Sequence, residues 1–246
     1  MCIRDRLDAV VTDPNDKAFL EPLTKWDGNY TQDSIAPTLF TQLMYEIAKA
    51  AMTDELGEAG FKNLLRTRVL EGALPALIED ANSPWWDNRR TKAAESRYEI
   101  VRQAWANTLK RLQELYGTSL LDWRWGTAHT LTHGHPLGRQ KPLDLLFNVG
   151  PFSVPGGREV PNNLSANLGT APWAVVYGPS TRRVIDFADA SEALGINPVG
   201  QSGVWLDKHY ADQAERFAAG IYVPQHLRED DIKAHTESQL RFQPGH

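Results

Sequence analysis

Between Thr91 and Tyr116 the apolar residues Ala94, Tyr98, Val101, Trp105, Leu109, Leu112 and Tyr116 recur every three or four positions, and Gly117 follows. That spacing draws one apolar stripe along an α-helix, with glycine where a helix C-terminus turns left-handed. A helix of this kind owes its stability to burial of the stripe, so the rest of the chain must supply a surface to cover it. The upstream sequence offers one. Pro37 stands where a first-turn proline is tolerated, Leu39, Phe40, Leu43, Met44, Ile47 and Ala51 keep helical spacing, and Gly57 ends the run. The pattern resumes from Phe61 to about Leu70 through Leu64, Leu65 and Val69, and Pro75 is expected to begin a further short helix.

Near Leu120 the character changes. Glycine, proline and asparagine break the chain into short β-prone runs, of which Trp123–Leu131 and Pro172–Tyr177 read as strands. The turn Tyr177–Thr181 points to Arg183–Phe187 as the returning strand of a hairpin, while Asn148–Ala171 is loop-rich. Two closing helices are expected, Asp207–Ala218 and about Glu229–Gln239. The fold class is therefore α+β. A helical first half covers residues 7–118, strands and loops residues 119–205, and closing helices residues 206–246.

Composition narrows the function. The chain has 246 residues, 41% of them hydrophobic, which is enough for a real core. The net charge of -5 comes with interspersed signs and no basic patch, which argues against nucleic acid as a partner. No apolar run approaches the ~20 residues of a membrane span, and no signal-peptide core is visible. The one cysteine, Cys2, allows no internal disulfide. The opening MCIRDR, residues 1–6, resembles translated sequencing-adapter sequence; the alternative is an ordinary polar helix.

Two stretches carry residue types that do chemistry. Ser202, Asp207, His209 and Asp212 lie within eleven positions and have the composition of a hydrolase triad. Gly200-Gln201-Ser202-Gly203 nevertheless lacks the G-x-S-x-G spacing of a nucleophile elbow. A polar turn explains the serine. Asp207 suits a helix N-cap, and Asp207 and Asp212 both suit the positive end of the helix dipole. The second stretch holds His129, His133 and His135. On a strand all three share a face, but at roughly 3.3 Å per residue His129 and His133 stand about 13 Å apart, too far for one zinc ion. His129 and His135 are the better candidates for residues facing a cleft, with no metal and no cofactor.

Three segments, in order, resemble the penicillin acylase family of N-terminal nucleophile hydrolases. They are Leu23-Thr24-Lys25-Trp26-Asp27-Gly28; Trp123-Arg124-Trp125-Gly126 with His129, His135-Pro136-Leu137 and the loop Phe152–Gly157; and Gly178–Asp186 with Gly200–Gly203, Lys208–Gln213 and Asp231–Ser238. The resemblance is to the C-terminal part of the family's β-chain. It implies residues 7–246 as part of an αββα sandwich, completed by an α-chain and the N-terminal part of the β-chain. It also implies a small-molecule amide as substrate and an autoprocessed precursor that is periplasmic or secreted. Catalysis would fall to a β-chain N-terminal serine whose α-amino group, pKa about 7.7–8.0, acts as base. The family's Ser-Asn-x-Trp start is absent here. Its oxyanion asparagine and Ca2+ ligands match no position either, so the resemblance implies a fragment that is inactive alone.

Two alternatives stand beside it. A carbohydrate- or peptide-binding module could use Trp85, Trp86, Trp123, Trp125 and Trp173 as stacking platforms, although core packing is the better account of the tryptophans. Cys2 could instead be an N-terminal nucleophile, but Ile3–Asp8 lacks the period-2 alternation of the strand this needs.

Overall fold

The structure is a computed structural model and describes Leu7 and residues 10–244. The MCIRDR stretch and Cys2 lie outside the described residues. Two compact units emerge, and the boundary runs through two strands. Unit 1 is the chain up to Thr132 together with Pro151–Gly178; unit 2 is His133–Gly150 together with the chain from Pro179.

Unit 1 is built on helices α1 (Pro14–Thr24), α2 (Ala36–Leu64), α3 (Val69–Glu79) and α4 (Arg97–Tyr116). Helix α4 starts later than the expected Thr91, at a capping box. Ser96 accepts a hydrogen bond from the Glu99 N–H, and the Glu99 carboxylate takes the Ser96 N–H at 2.8 Å. This box satisfies free first-turn N–H groups that an apolar stripe cannot. Val101, Trp105, Leu109 and Leu112 of the stripe are buried, with Ile100 and Ala104 beside them, and Gly117 closes the helix at φ 82. Tyr98 is left exposed. Helix α2 covers α4 with Leu39, Leu43, Ile47 and Ala51, all at most 1% exposed. Burial of each leucine or isoleucine side chain among them contributes roughly 1.5–3 kcal/mol. At Gly57 the α2 backbone swings to φ 67, ψ 166, a region essentially reserved for glycine, and kinks the helix. Beyond it the run ends at Leu64 rather than near Leu70. Pro75 lies inside α3 and does not begin it.

Strand β1 (His129–His133) is preceded by a single helical turn, α5 (Trp125–Ala128), where a continuous strand from Trp123 was expected. The first sheet has the order β2-β1-β4-β3, with β2 Val149–Ser153, β3 Ser165–Ala166 and β4 Trp173–Tyr177. β1 runs parallel to β4, pairing His129 with Trp173. The loop ahead of β4 is tied to the helices. Gln42 accepts the Ala171 N–H at 2.8 Å, and Arg111 donates to the Ala171 carbonyl at 2.6 Å.

Unit 2 carries a separate antiparallel sheet, β5 (Arg182–Val184), β6 (Leu194–Ile196) and β7 (Val223–Pro224). The expected hairpin between Pro172–Tyr177 and Arg183–Phe187 does not form. β4 finds its partners in β1 and β3, and β5 pairs with β6, placing Arg183 opposite Gly195. The closing helices are short. Ala214–Ala219 replaces Asp207–Ala218, and Glu229–Ala234 replaces Glu229–Gln239. Residues 207–213 are turns, because local side chains there compete with helical bonding. The fold is α+β, with helices dominating the first half and strands the second.

A Cβ at Gly57 would meet no atom within 4 Å, so Gly57→Ala should cost only the backbone strain, about 1–3 kcal/mol. Ser96→Ala should cost about 1 kcal/mol through the lost cap. Urea unfolding of the two variants measures both; a Gly57→Ala midpoint equal to wild type would show that the kink is dispensable.

Candidate functional site

The segment between α1 and α2 organises the site. Its backbone acts as a clamp. The Ser34 carbonyl accepts the Trp125 N–H, the Gln32 carbonyl the Gly126 N–H and the Tyr30 carbonyl the Gly156 N–H, each at 2.8 Å. Gln32 Nε2 adds a bond to the Ser153 carbonyl at 2.5 Å. The approach is close enough that a Cβ at Gly157 would stand 3.2 Å from the Tyr30 ring. Two segments picked out by sequence, around Trp26 and around Trp125, thus meet in space.

Trp125 is the centre of this meeting. Its Nε1 donates to the Gly156 carbonyl at 2.8 Å. His129 stacks on its face at 4.5 Å, Tyr30 meets it edge-on at 5.4 Å, and Trp173 leans on it at 5.4 Å. His129 is fully buried, with Nδ1 3.1 Å from the Val154 carbonyl and Nε2 2.9 Å from the Leu164 carbonyl. Burial pulls its pKa below the usual imidazole value, and the two carbonyls oppose that shift without overcoming it. The neutral ring can donate to one carbonyl only. With both nitrogens facing backbone oxygens, His129 joins β1 to residues 154 and 164 and has no nitrogen to offer a substrate or metal.

Beside this aromatic group lies a cavity of about 260 Å³. Phe40, Met44 and Ala48 of α2 form one wall, and Leu70, Leu74 and Ile78 of α3 another. Tyr30, Trp125, His129 and Trp173 complete it, together with residues 157–159 and 166–168. The Tyr30 phenol bonds Thr41, and burial pushes its pKa up to about 12. Two ion pairs fasten the rim. Arg158 Nε is 2.6 Å from Glu71 Oε1, and Arg68 is 3.2 Å from Glu159, a residue held at φ 56. No serine, cysteine or lysine lines the cavity. Its lining suits an apolar group.

The other sequence candidates fall elsewhere. His135 belongs to unit 2, where it stacks on Phe147 at 5.1 Å and accepts the Leu137 N–H at Nδ1. His133 packs edge-on against Phe217 at 5.8 Å, and burial lowers its pKa. The Ser202–Asp212 stretch forms no triad. The Ser202 hydroxyl accepts the Val204 N–H at 3.2 Å, and only the Ser202 backbone reaches His209, at its carbonyl. The His209 ring is held between Asp212 at 2.7 Å and Glu237 at 3.2 Å, and those bonds raise its pKa. Asp207 is not a helix N-cap; it accepts the His209 N–H at 2.7 Å and closes a turn. The described residues contain no group of three or more His, Cys, Asp or Glu able to hold a metal. Trp86, Trp123, Trp125 and Trp173 are buried, so they cannot serve as surface stacking platforms. Tyr30 and the Arg158–Glu71 pair escaped sequence reasoning; the pair joins residues 87 positions apart, and no periodicity reports that.

Comparison with known proteins adds to the geometry. The family profile described as penicillin amidase matches residues 3–234. The acyl-homoserine lactone acylase QuiP of Pseudomonas aeruginosa is 26% identical over 92% of this chain and 29% of its own length. QuiP of Pseudomonas fluorescens Pf-5 is 24% identical over 91% of this chain and 27% of its own. The chain thus spans under a third of the length of these curated relatives. A solved thermostable penicillin G acylase from Alcaligenes faecalis is similar at 21% identity, covering 99% of this chain and 46% of that one with a TM-score of 0.44. Among the described residues no helix is long and apolar enough to cross a membrane.

The buried His129 makes stability depend on pH. In the unfolded chain the ring titrates near about 6.5; in the folded chain burial holds it lower. Its contribution is whole above the unfolded value and is lost as pH falls below it. His129→Gln keeps a donor and removes the titration. Wild type should therefore lose more unfolding free energy than the variant between about pH 7.5 and pH 5.5. Urea unfolding at both pH values measures this, and equal losses would count against a buried neutral imidazole.

Proposed function

The chain belongs to the penicillin amidase family, and from that premise we propose that it works within an amide hydrolase of N-acyl compounds whose serine nucleophile lies outside these 246 residues. The observation that carries the reading is the family match over residues 3–234. The names of the Pseudomonas relatives favour an acyl-homoserine lactone as the amide. The same reading makes this chain part of an αββα sandwich, joined by an α-chain and the N-terminal part of the β-chain in an autoprocessed parent that is periplasmic or secreted.

The chemistry is that of an N-terminal serine. Its hydroxyl adds to the acyl carbonyl while the α-amino group takes the proton, and that proton then passes to the departing amine as the C–N bond breaks. Water repeats the sequence on the acyl-enzyme and releases the acid. Nucleophile and base share one residue, so little orientation entropy is lost. Within this chain the geometry favours a supporting role. Ser202 and His209 are engaged elsewhere, and no serine, cysteine or lysine lines the unit 1 cavity. Calcium, implied by the resemblance for the longer parent, has no acidic cluster to hold it among the described residues, and no step depends on it.

The purified 246-residue chain should release no homoserine lactone from an N-acyl-homoserine lactone. A reading frame extended upstream should contain a Ser-Asn-x-Trp start, and its product should hydrolyse the amide until that serine is changed to alanine. Turnover by the chain itself, abolished by Ser202→Ala or His209→Ala, would overturn the proposal.

A further inference from the structure

The unit 1 cavity has a chemistry of its own, read from its lining. Most of its polar groups already have partners, and Asn167 and the Tyr45 hydroxyl are the further polar groups in its lining. Both His129 ring nitrogens face backbone carbonyls, the Tyr30 hydroxyl bonds Thr41, and Arg158 and Glu71 neutralise each other. Ordered water needs two to four polar partners, and a cavity without them stays dry. The charges at the rim cancel in pairs, since Glu159 is matched by Arg68. A charged guest would therefore lose its hydration without gaining a counter-ion.

Size and shape narrow the guest further. An engineered apolar cavity of about 150 Å³ holds one benzene, and this one measures about 260 Å³. That leaves room for one ring and a few carbons, too little for a helix or strand of another chain. Trp125 meets Tyr30 and Trp173 at interplanar angles of 72° and 37°, so ring faces and edges are presented together. A guest ring can meet them offset or edge-on, the arrangements aromatic pairs prefer. Met44, in the wall from α2, adds a side chain that adapts to irregular shapes.

We propose that this cavity is a binding site for a neutral aromatic group or a compact hydrocarbon. The site takes up its guest without reacting with it, and two ion pairs, Arg158 with Glu71 and Arg68 with Glu159, fasten its rim. Binding to the chain is read without any turnover, so its failure is distinguishable from failure of the hydrolase assignment.

Toluene is the probe, with benzoate and benzylammonium as charged counterparts. Titrated into the full chain, toluene should change tryptophan emission saturably and raise the unfolding midpoint by mass action. The two ions should bind at least tenfold more weakly. Ala48→Leu and Ala166→Leu each place a larger side chain in the cavity wall and should weaken toluene binding tenfold or more. Should either variant fail to fold, a nuclear Overhauser contact between toluene protons and the Met44 methyl of wild type decides the location. Absence of saturable toluene binding overturns the proposal. So does equal binding of the ions, undiminished binding in both folded variants, or absence of the Met44 contact.

Discussion

Unit 1 depends on one stacked pair. Trp125 and His129 lie face to face at 4.5 Å, and each is bonded to backbone from a distant part of the chain. Trp125 reaches Gly156, while His129 reaches Val154 and Leu164. The segment from Tyr30 to Ser34 then accepts backbone hydrogen bonds from Trp125, Gly126 and Gly156. An indole or imidazole N–H left unsatisfied at this depth would cost about 1–3 kcal/mol. The segments that satisfy them are therefore held in one arrangement, and the cavity between α2 and α3 inherits its shape from them.

The Ser202–Asp212 stretch shows why residue types close in sequence do not make a catalytic site. A triad needs a hydroxyl, an imidazole and a carboxylate aligned in one chain of hydrogen bonds. Here the hydroxyl bonds Val204 and the imidazole bonds two carboxylates. An acid on each side keeps His209 protonated to higher pH, which is the opposite of what a general base at neutral pH requires. The histidine on the other side of the comparison, His129, fails differently. It is neutral, but buried and fully committed.

The helical half was legible because its signals are local. Pro37 and Gly117 mark a helix start and a stop by single-residue preferences, whereas the Ser96–Glu99 capping box lies five residues past the start expected at Thr91, and Gly57, expected to end its run, kinks it instead. The apolar periodicity of residues 39–51 and 100–112 told which faces would be buried. Errors gathered where a local signal competed with a distant partner. Trp125–Ala128 reads as strand by composition, yet bonds from Gln32 and Ser34 fold it into a turn. The expected hairpin failed because β4 had stronger claims from β1 and β3, neither adjacent to it in the expected pairing.

The sequence by itself determined the α+β class, the packing faces of α2 and α4, and, through short segments spread from Leu23 to Ser238, the family. These follow from periodicity, capping and residue order, all of which act along the chain. Only the tertiary structure decided the strand partners, the commitment of His129 and the existence of the cavity. Each of those joins residues tens of positions apart, as Arg158 and Glu71 are at 87. Which distant groups meet depends on how all the buried faces are satisfied at once, and no local window of the chain contains that information.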